Sequence, residues 1–209
     1  MSDAKAPGEP GKYVMRISRL TVEKLGVKLY DTVSAAIAEL VANAYDADAE
    51  HVRITTRLGG QLAESDTIEV VDDGHGMTPA EALGSFLVVG RDRRRSLNGR
   101  LSREKCRPVM GRKGIGKLAP FGICQRIEVI SAGGAKTEKG YEVTHFTMDF
   151  DRIVTEADEN AEFDAGKLDR TFLPKRGTTM RLSRFLKKRV PPRDVLERQL
   201  GRRFTVDPT

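Results

Sequence analysis

Six apolar residues, Val33, Ala36, Ile37, Leu40, Val41 and Ala44, recur at the i, i+3, i+4, i+7, i+8 and i+11 positions of one helical face. A stripe of that width has to be covered, so the chain must also build a layer for this helix to lie on. Asp31 stands where the helix would take its N-cap. Alternating or β-branched stretches at residues 13–18, 51–57, 67–71, 126–131, 141–149 and 178–183 read as strands. Pro79 opens a helix reaching to about Val89, residues 117–122 form a short one, and Pro191 and Pro192 precede a last helix over residues 193–203. Helices gathered early and strands gathered late predict an α+β fold, a two-layer sandwich.

A chain of 209 residues is long enough for a self-sufficient core, and it shows no internal repeat. No run approaches the roughly 20 apolar residues of a membrane helix. Residues 1–12, rich in Gly, Pro and Ala, read as a flexible arm without the apolar core of a secretion signal. Cys106 and Cys124 are too few for a disulfide scaffold or a zinc cage and point to a reducing, cytoplasmic setting. The net charge is +6, and residues 91–107 alone hold eight basic side chains against two acidic ones. Residues 91–108 have no periodicity and read as a long loop, of the kind that is a functional lid or disordered. A second basic run covers residues 184–203. Such clusters attract phosphate, whether of a nucleotide, a nucleic acid or a membrane. No aromatic residue interleaves 91–107, which argues against a stacking surface for single strands.

Four separated features carry chemistry. Glu39 and Asn43 stand four apart, on one side of the first helix, and Asp46 continues that line. A carboxylate at a buried edge deprotonates water, and an amide oxygen is a neutral hard ligand for Mg²⁺. Asp72-Asp73-Gly74-His75-Gly76-Met77 follows a strand. Its glycines let backbone approach a flat ligand, and a carboxylate at a strand end accepts a hydrogen bond from the exocyclic amine of a purine. Gly111 to Lys117 has the glycine and lysine spacing of a P-loop. Leu118, however, replaces the Mg²⁺-binding hydroxyl, and no strand precedes the segment. What remains is glycine-rich backbone feeding a helix start, a phosphate cradle. Gly177-Thr178 opens a late strand.

In this order the four resemble the Bergerat-type ATPase domain of the GHKL superfamily: E-x-x-x-N at Glu39–Asn43, D-x-G-x-G-M at Asp72–Met77, G-x-x-G-x-G at Gly111–Gly116, and G-T at Gly177–Thr178. That superfamily includes DNA gyrase B, heat-shock chaperone ATPases, histidine kinases, and MutL-type and MORC-type proteins, and the last two are nearest in feel. The resemblance implies a mostly antiparallel mixed sheet with helices on one face, spanning residues 13–185, with a lid at about 90–116 and a basic connector helix in 186–209. It implies Glu39 as general base and Asn43 as Mg²⁺ ligand, with Asp46 beside the pocket. Asp72 would read adenine, Gly76 and Met77 would pack the base, and Thr178 would support the adenine contact. Gly111, Gly114, Ile115 and Gly116 would wrap the phosphates, with Lys117 reaching them. The family often has Asn where this chain has Asp73.

The function so implied is Mg²⁺-dependent ATP binding with slow hydrolysis, driving lid closure and formation of an ATP-dependent homodimer, with residues 1–12 as a strap. The basic lid and C-terminal segment add DNA as a partner. The chain also lacks the transducer domain that such switches place next, so a longer protein is expected. A histidine or protein kinase domain is a competing reading, although no phosphoacceptor helix accompanies the pocket. The others are a chaperone ATPase and a non-catalytic nucleic-acid module using residues 91–107.

Overall fold

The computed structural model describes residues 11–16, 32–88, 100–111, 116–155, 160–186 and 188–204. In chain order these form β1 (Lys12–Arg16), α1 (Val33–Asp46), β2 (Val52–Thr55), β3 (Ile68–Asp72) and α2 (Pro79–Glu81). A π-helical turn, Ala82–Phe86, continues α2 and precedes a 3₁₀ segment, Gly116–Gly122. Then come β4 (Cys124–Thr137), β5 (Gly140–Asp149), α3 (Phe150–Thr155), β6 (Asn160–Asp164), β7 (Phe172–Leu173), β8 (Gly177–Phe185) and α4 (Arg193–Phe204).

Six strands make one sheet in the order β2-β3-β8-β4-β5-β7, and β1 pairs with β6 in a two-stranded ribbon. Every pairing among the described strands is antiparallel. Side chains alternate across a strand, so the register sorts the sheet into rows. Ile68, Leu182, Ile127 and Met148 form one row on the inner face, and Val70, Met180, Val129 and Phe146 form the next. All eight are buried. The opposite face carries Glu69, Arg181 and Glu128 side by side, with Arg181 bonded to Glu69 at 2.6 Å and to Glu128 at 3.2 Å. One greasy face and one solvated, charge-laddered face make this an α+β domain of two layers, consistent with the Bergerat fold.

The predicted stripe is the buried face of α1: Val33, Ala36, Ile37, Leu40 and Ala44 are at most 3% exposed, and Val41 packs partly buried at the edge. Burying each of the larger members contributes about 1.5–3 kcal/mol. The N-cap is Thr32, whose hydroxyl accepts the Ala35 N–H at 3.3 Å, and not Asp31, which lies outside the described residues.

Two expected elements end elsewhere. The helix from Pro79 stops at Phe86 because Gly84 weakens it and its last turn widens to an i to i+5 bond, Leu87 N–H to Ala82 O at 2.8 Å. The strand expected at 126–131 runs on to Thr137. Gly133 keeps its pairing with Glu142 before a register shift interrupts the ladder. Also observed but not foreseen are α3, β6 and β7.

Candidate functional site

The third row on the inner face is polar. Asp72, Thr178, Ser131 and Thr144 are register partners across β3, β8, β4 and β5, one step beyond the two apolar rows. Ser131 and Thr144 are fully buried. Ser131 Oγ accepts the Met77 N–H at 3.0 Å and stands 2.9 Å from Thr178 Oγ1, while Thr144 Oγ1 donates to Met77 O at 3.0 Å. Both backbone polar groups of Met77 are therefore held by hydroxyls of this row. Asp72 closes it: its carboxylate accepts the Gly74 N–H at 2.9 Å and the Thr178 amide. Burial pushes its pKa up to about 6, against the lowering effect of those two amides.

Gly76 has φ +62°, and a Cβ there would lie 1.9 Å from Ala132 O, so only glycine lets the Gly76–Met77 backbone lie against β4. Gly133 completes the fit from the other side, because a Cβ on it would come within 2.5 Å of Met77 N.

The first and third motifs meet directly. Glu39 and Asn43 are half-buried on α1, and no hydrogen bond within the described residues engages either side chain. A Cβ on Gly116 would stand 2.7 Å from Glu39 Oε2 and 3.9 Å from Asn43 Oδ1. An uncommitted carboxylate and amide oxygen facing a bare glycine backbone fit a hard divalent cation beside phosphate oxygens. Gly114 and Ile115 lie outside the described residues.

Lys117 is only 9% exposed. Its ammonium donates to Ser85 O at 3.2 Å and Val88 O at 2.8 Å, closing off the end of the Ala82–Phe86 turn. In this structure it therefore holds protein carbonyls where the sequence suggested a phosphate contact.

The last part of the expected lid is a compact hairpin docked on the end of α1. Leu101 bridges Pro108, Ser102 N–H donates to Arg107 O at 2.8 Å, and Val109 N–H donates to Arg100 O at 3.0 Å. Asp46 holds its exit, accepting Met110 N–H at 2.7 Å and Gly111 N–H at 3.0 Å. Asp48 holds its tip, accepting Glu104 N–H at 2.7 Å and Lys105 N–H at 3.1 Å. Arg103 pairs with Glu81, Lys105 with Glu50, and Arg107 lies over the Tyr45 ring at 4.7 Å. The described basic residues of this segment are thus engaged with protein partners, and the long loop read at 91–108 is structured over 100–108.

Asp73 accepts Glu50 N–H at 2.7 Å, His51 N–H at 2.9 Å and His51 Nδ1 at 2.9 Å, fastening the turn between α1 and β2. These bonds outweigh the opposing effect of desolvation and bring its pKa down to about 2. His75 is half-buried with Nδ1 at 2.6 Å from Gly76 O. Ser131, Thr144 and Asp48 were not anticipated. Only strand register could have exposed the first two, since a single hydroxyl within a strand of mixed residues carries no signature of its own.

The chain is similar to "Putative type II restriction enzyme HgiDII" of Herpetosiphon aurantiacus, 40% identical over 119 residues, which cover 57% of this chain and 18% of that protein. It therefore spans under a fifth of that relative's length. The family profile described as histidine kinase-, DNA gyrase B-, and HSP90-like ATPase matches residues 30–171, which hold α1, Asp72 and its loop, the glycine segment and most of the sheet. The chain belongs to that family of ATPase domains.

Proposed function

We propose that this domain binds ATP with Mg²⁺ and hydrolyses it slowly, with Glu39 as the general base. The observation that carries this reading is the meeting of Glu39, Asn43 and Gly116: a carboxylate and an amide oxygen, uncommitted, against backbone that has no side chain to block phosphate. Asn43 Oδ1 would hold the Mg²⁺, which when bound would supply positive charge against the phosphates. Glu39 takes a proton from water as the water oxygen bonds to the terminal phosphorus and the bridging oxygen leaves with its electron pair on ADP. Asp72 accepts the adenine amine, Thr178 supports that contact, and Gly76 and Met77 form the wall on which the base lies. Gly111, Gly114, Ile115 and Gly116 offer amides to the phosphates. Asp46 acts at one remove by fixing Gly111.

Within this reading the hairpin at residues 100–111 belongs to a lid that closes over ATP, and closure promotes a homodimer strapped by residues 1–12. The domain serves a DNA-related protein. The name of the HgiDII relative and the excess of positive charge support that part.

Calorimetric ATP titration with and without Mg²⁺, beside a phosphate-release assay, tests the proposal. Glu39→Gln should bind ATP and lose turnover by about 10²–10⁴, and Asp72→Asn should fail to bind. Wild-type turnover in Glu39→Gln would sink the assignment of the base.

A further inference from the structure

Arg189, Arg202 and Arg203 line an open cavity of about 450 Å³ between α4 and the first turn of α1, whose floor includes Ser34 and Gln199. Ser34 Oγ donates to Gln199 Oε1, which ties the two helices together beneath the arginines. Among the described residues, no acidic side chain lines the cavity and none of the three guanidiniums has an ion pair or hydrogen bond. The basic side chains at residues 103–107 are placed quite differently: Arg103 lies 2.6 Å from Glu81, Lys105 lies 2.5 Å from Glu50, and Arg107 packs beside the fully buried Asp48 carboxylate. The charge most conspicuous in the sequence is thus locally balanced at Arg103, Lys105 and Arg107, while a less conspicuous group converges, without an acidic partner among the described residues, on a concavity. Three cations held together repel one another, and a polyanion relieves that repulsion.

We propose that this cavity receives the backbone phosphates of a nucleic acid, at a site separate from the nucleotide pocket. The inference rests on the DNA-related part of the function proposed above. The separation follows from helix geometry. The cavity takes Thr32 to Ala35 at the start of α1, while Asn43 lies about 12 Å further along the axis than Ala35.

The surroundings choose among polyanions. On α4, Leu196 is buried and Leu200 packs on the core, which leaves no exposed apolar face for insertion into a lipid surface. The described residues that line the cavity include no aromatic side chain on which bases could stack, so they favour recognition of backbone charge, independent of sequence.

The test is fluorescence anisotropy of a short labelled DNA duplex, titrated with the protein over a series of salt concentrations. The triple variant Arg189→Ala/Arg202→Ala/Arg203→Ala should bind at least about tenfold more weakly at low salt. Its plot of log affinity against log salt should be shallower by about 2–3, one released counterion per lost contact. A lid variant, Arg103→Ala/Lys105→Ala, should change that slope little. Wild-type protein that fails to bind at low salt, or a triple variant with an unchanged slope, overturns the proposal. So does tighter binding to anionic vesicles than to DNA. ATP titrations run in parallel keep the two readings apart. Loss of ATP affinity in the triple variant without change in the DNA slope would make the cavity a free-nucleotide site and defeat the proposal. A wild-type protein that binds DNA but not ATP would defeat the ATPase reading alone.

Discussion

Gly116 approaches Glu39 so closely that a Cβ built on the glycine would stand 2.7 Å from Glu39 Oε2. The obstructing atom is the free end of a long side chain, so Gly116→Ala displaces the carboxylate and leaves the backbone where it is. The variant should keep a melting temperature within a few degrees of wild type, because no core contact is lost. Its phosphate release should fall by about 10–100-fold, since a base misplaced by about 1 Å loses its line to the water. Undiminished turnover in a stable Gly116→Ala protein would remove Glu39 from the reacting centre.

Asp72 makes the site sensitive to pH. Its folded pKa of about 6 lies above the 3.8 of an unperturbed aspartate, so the stabilising effect of its proton is fully present below about 4 and is lost as pH rises through about 6. The stability difference between wild type and Asp72→Asn should therefore shift in favour of wild type as pH falls from 7 to 4. Nucleotide affinity should run the opposite way. A purine amine needs the ionised carboxylate as acceptor, so ATP binding should weaken by up to about tenfold per unit below pH 6. Calorimetry at several pH values reads both trends, and an affinity flat from pH 5 to 7 would contradict the role given to Asp72.

The sequence exposed those parts of the molecule whose cause is local. The stripe from Val33 to Ala44 became the buried face of α1 because a 3.6-residue period needs no knowledge of its partner. That period also placed Glu39 and Asn43 on one side. Asp72 was legible at a strand end, read just past a strand over 67–71 and found as the last residue of β3. The polar row was not, because Ser131 and Thr144 become neighbours of Thr178 and Met77 only through register between strands distant in sequence. Nor was the extension of β4 beyond residue 131, since Gly133 and Gly134 have no side chain to mark a strand, and that lack makes room for the Gly76–Met77 backbone and for Thr78. The docked hairpin escaped for a similar reason. Asp46 and Asp48 bind backbone amides, which carry no residue signature.

Ser131 tests the row itself. Its hydroxyl joins Met77 N–H, Thr178 Oγ1 and Gly177 O in a fully buried setting. Ser131→Ala leaves the Met77 amide without that acceptor, which should cost about 1–3 kcal/mol of folding stability. The Met77 backbone and the Thr178 hydroxyl then lose their common reference, so ATP affinity should fall while turnover at saturating ATP changes little. Phosphate-release kinetics separate the two effects. A drop in turnover with unchanged KM would place Ser131 nearer the phosphates than the row allows.

Asp48 tests whether the hairpin is anchored where the structure anchors it. Its side chain is fully buried at φ +65°, in reach of the Ser102 hydroxyl, the Glu104 and Lys105 amides and the Arg107 guanidinium. Burial alone would raise its pKa, but those hydrogen bonds and the nearby charge win, and the carboxyl titrates below the ordinary value of 3.8. A depressed folded pKa contributes stability that is fully present above 3.8 and is lost as pH falls toward the lower value. The Glu104 and Lys105 amides should therefore be protected from hydrogen exchange at pH 6 and lose protection in acid. Three substitutions divide the causes. Asp48→Asn keeps an acceptor and tolerates the left-handed backbone, so it should be mildest. Asp48→Gly relaxes the backbone but removes both acceptors, so it should free the hairpin at neutral pH. Asp48→Ala does the same and adds backbone strain, so it should be the least stable, by about 2 kcal/mol or more relative to wild type. If Glu104 and Lys105 stay as protected in Asp48→Gly as in wild type, Asp48 is not what holds the hairpin to α1.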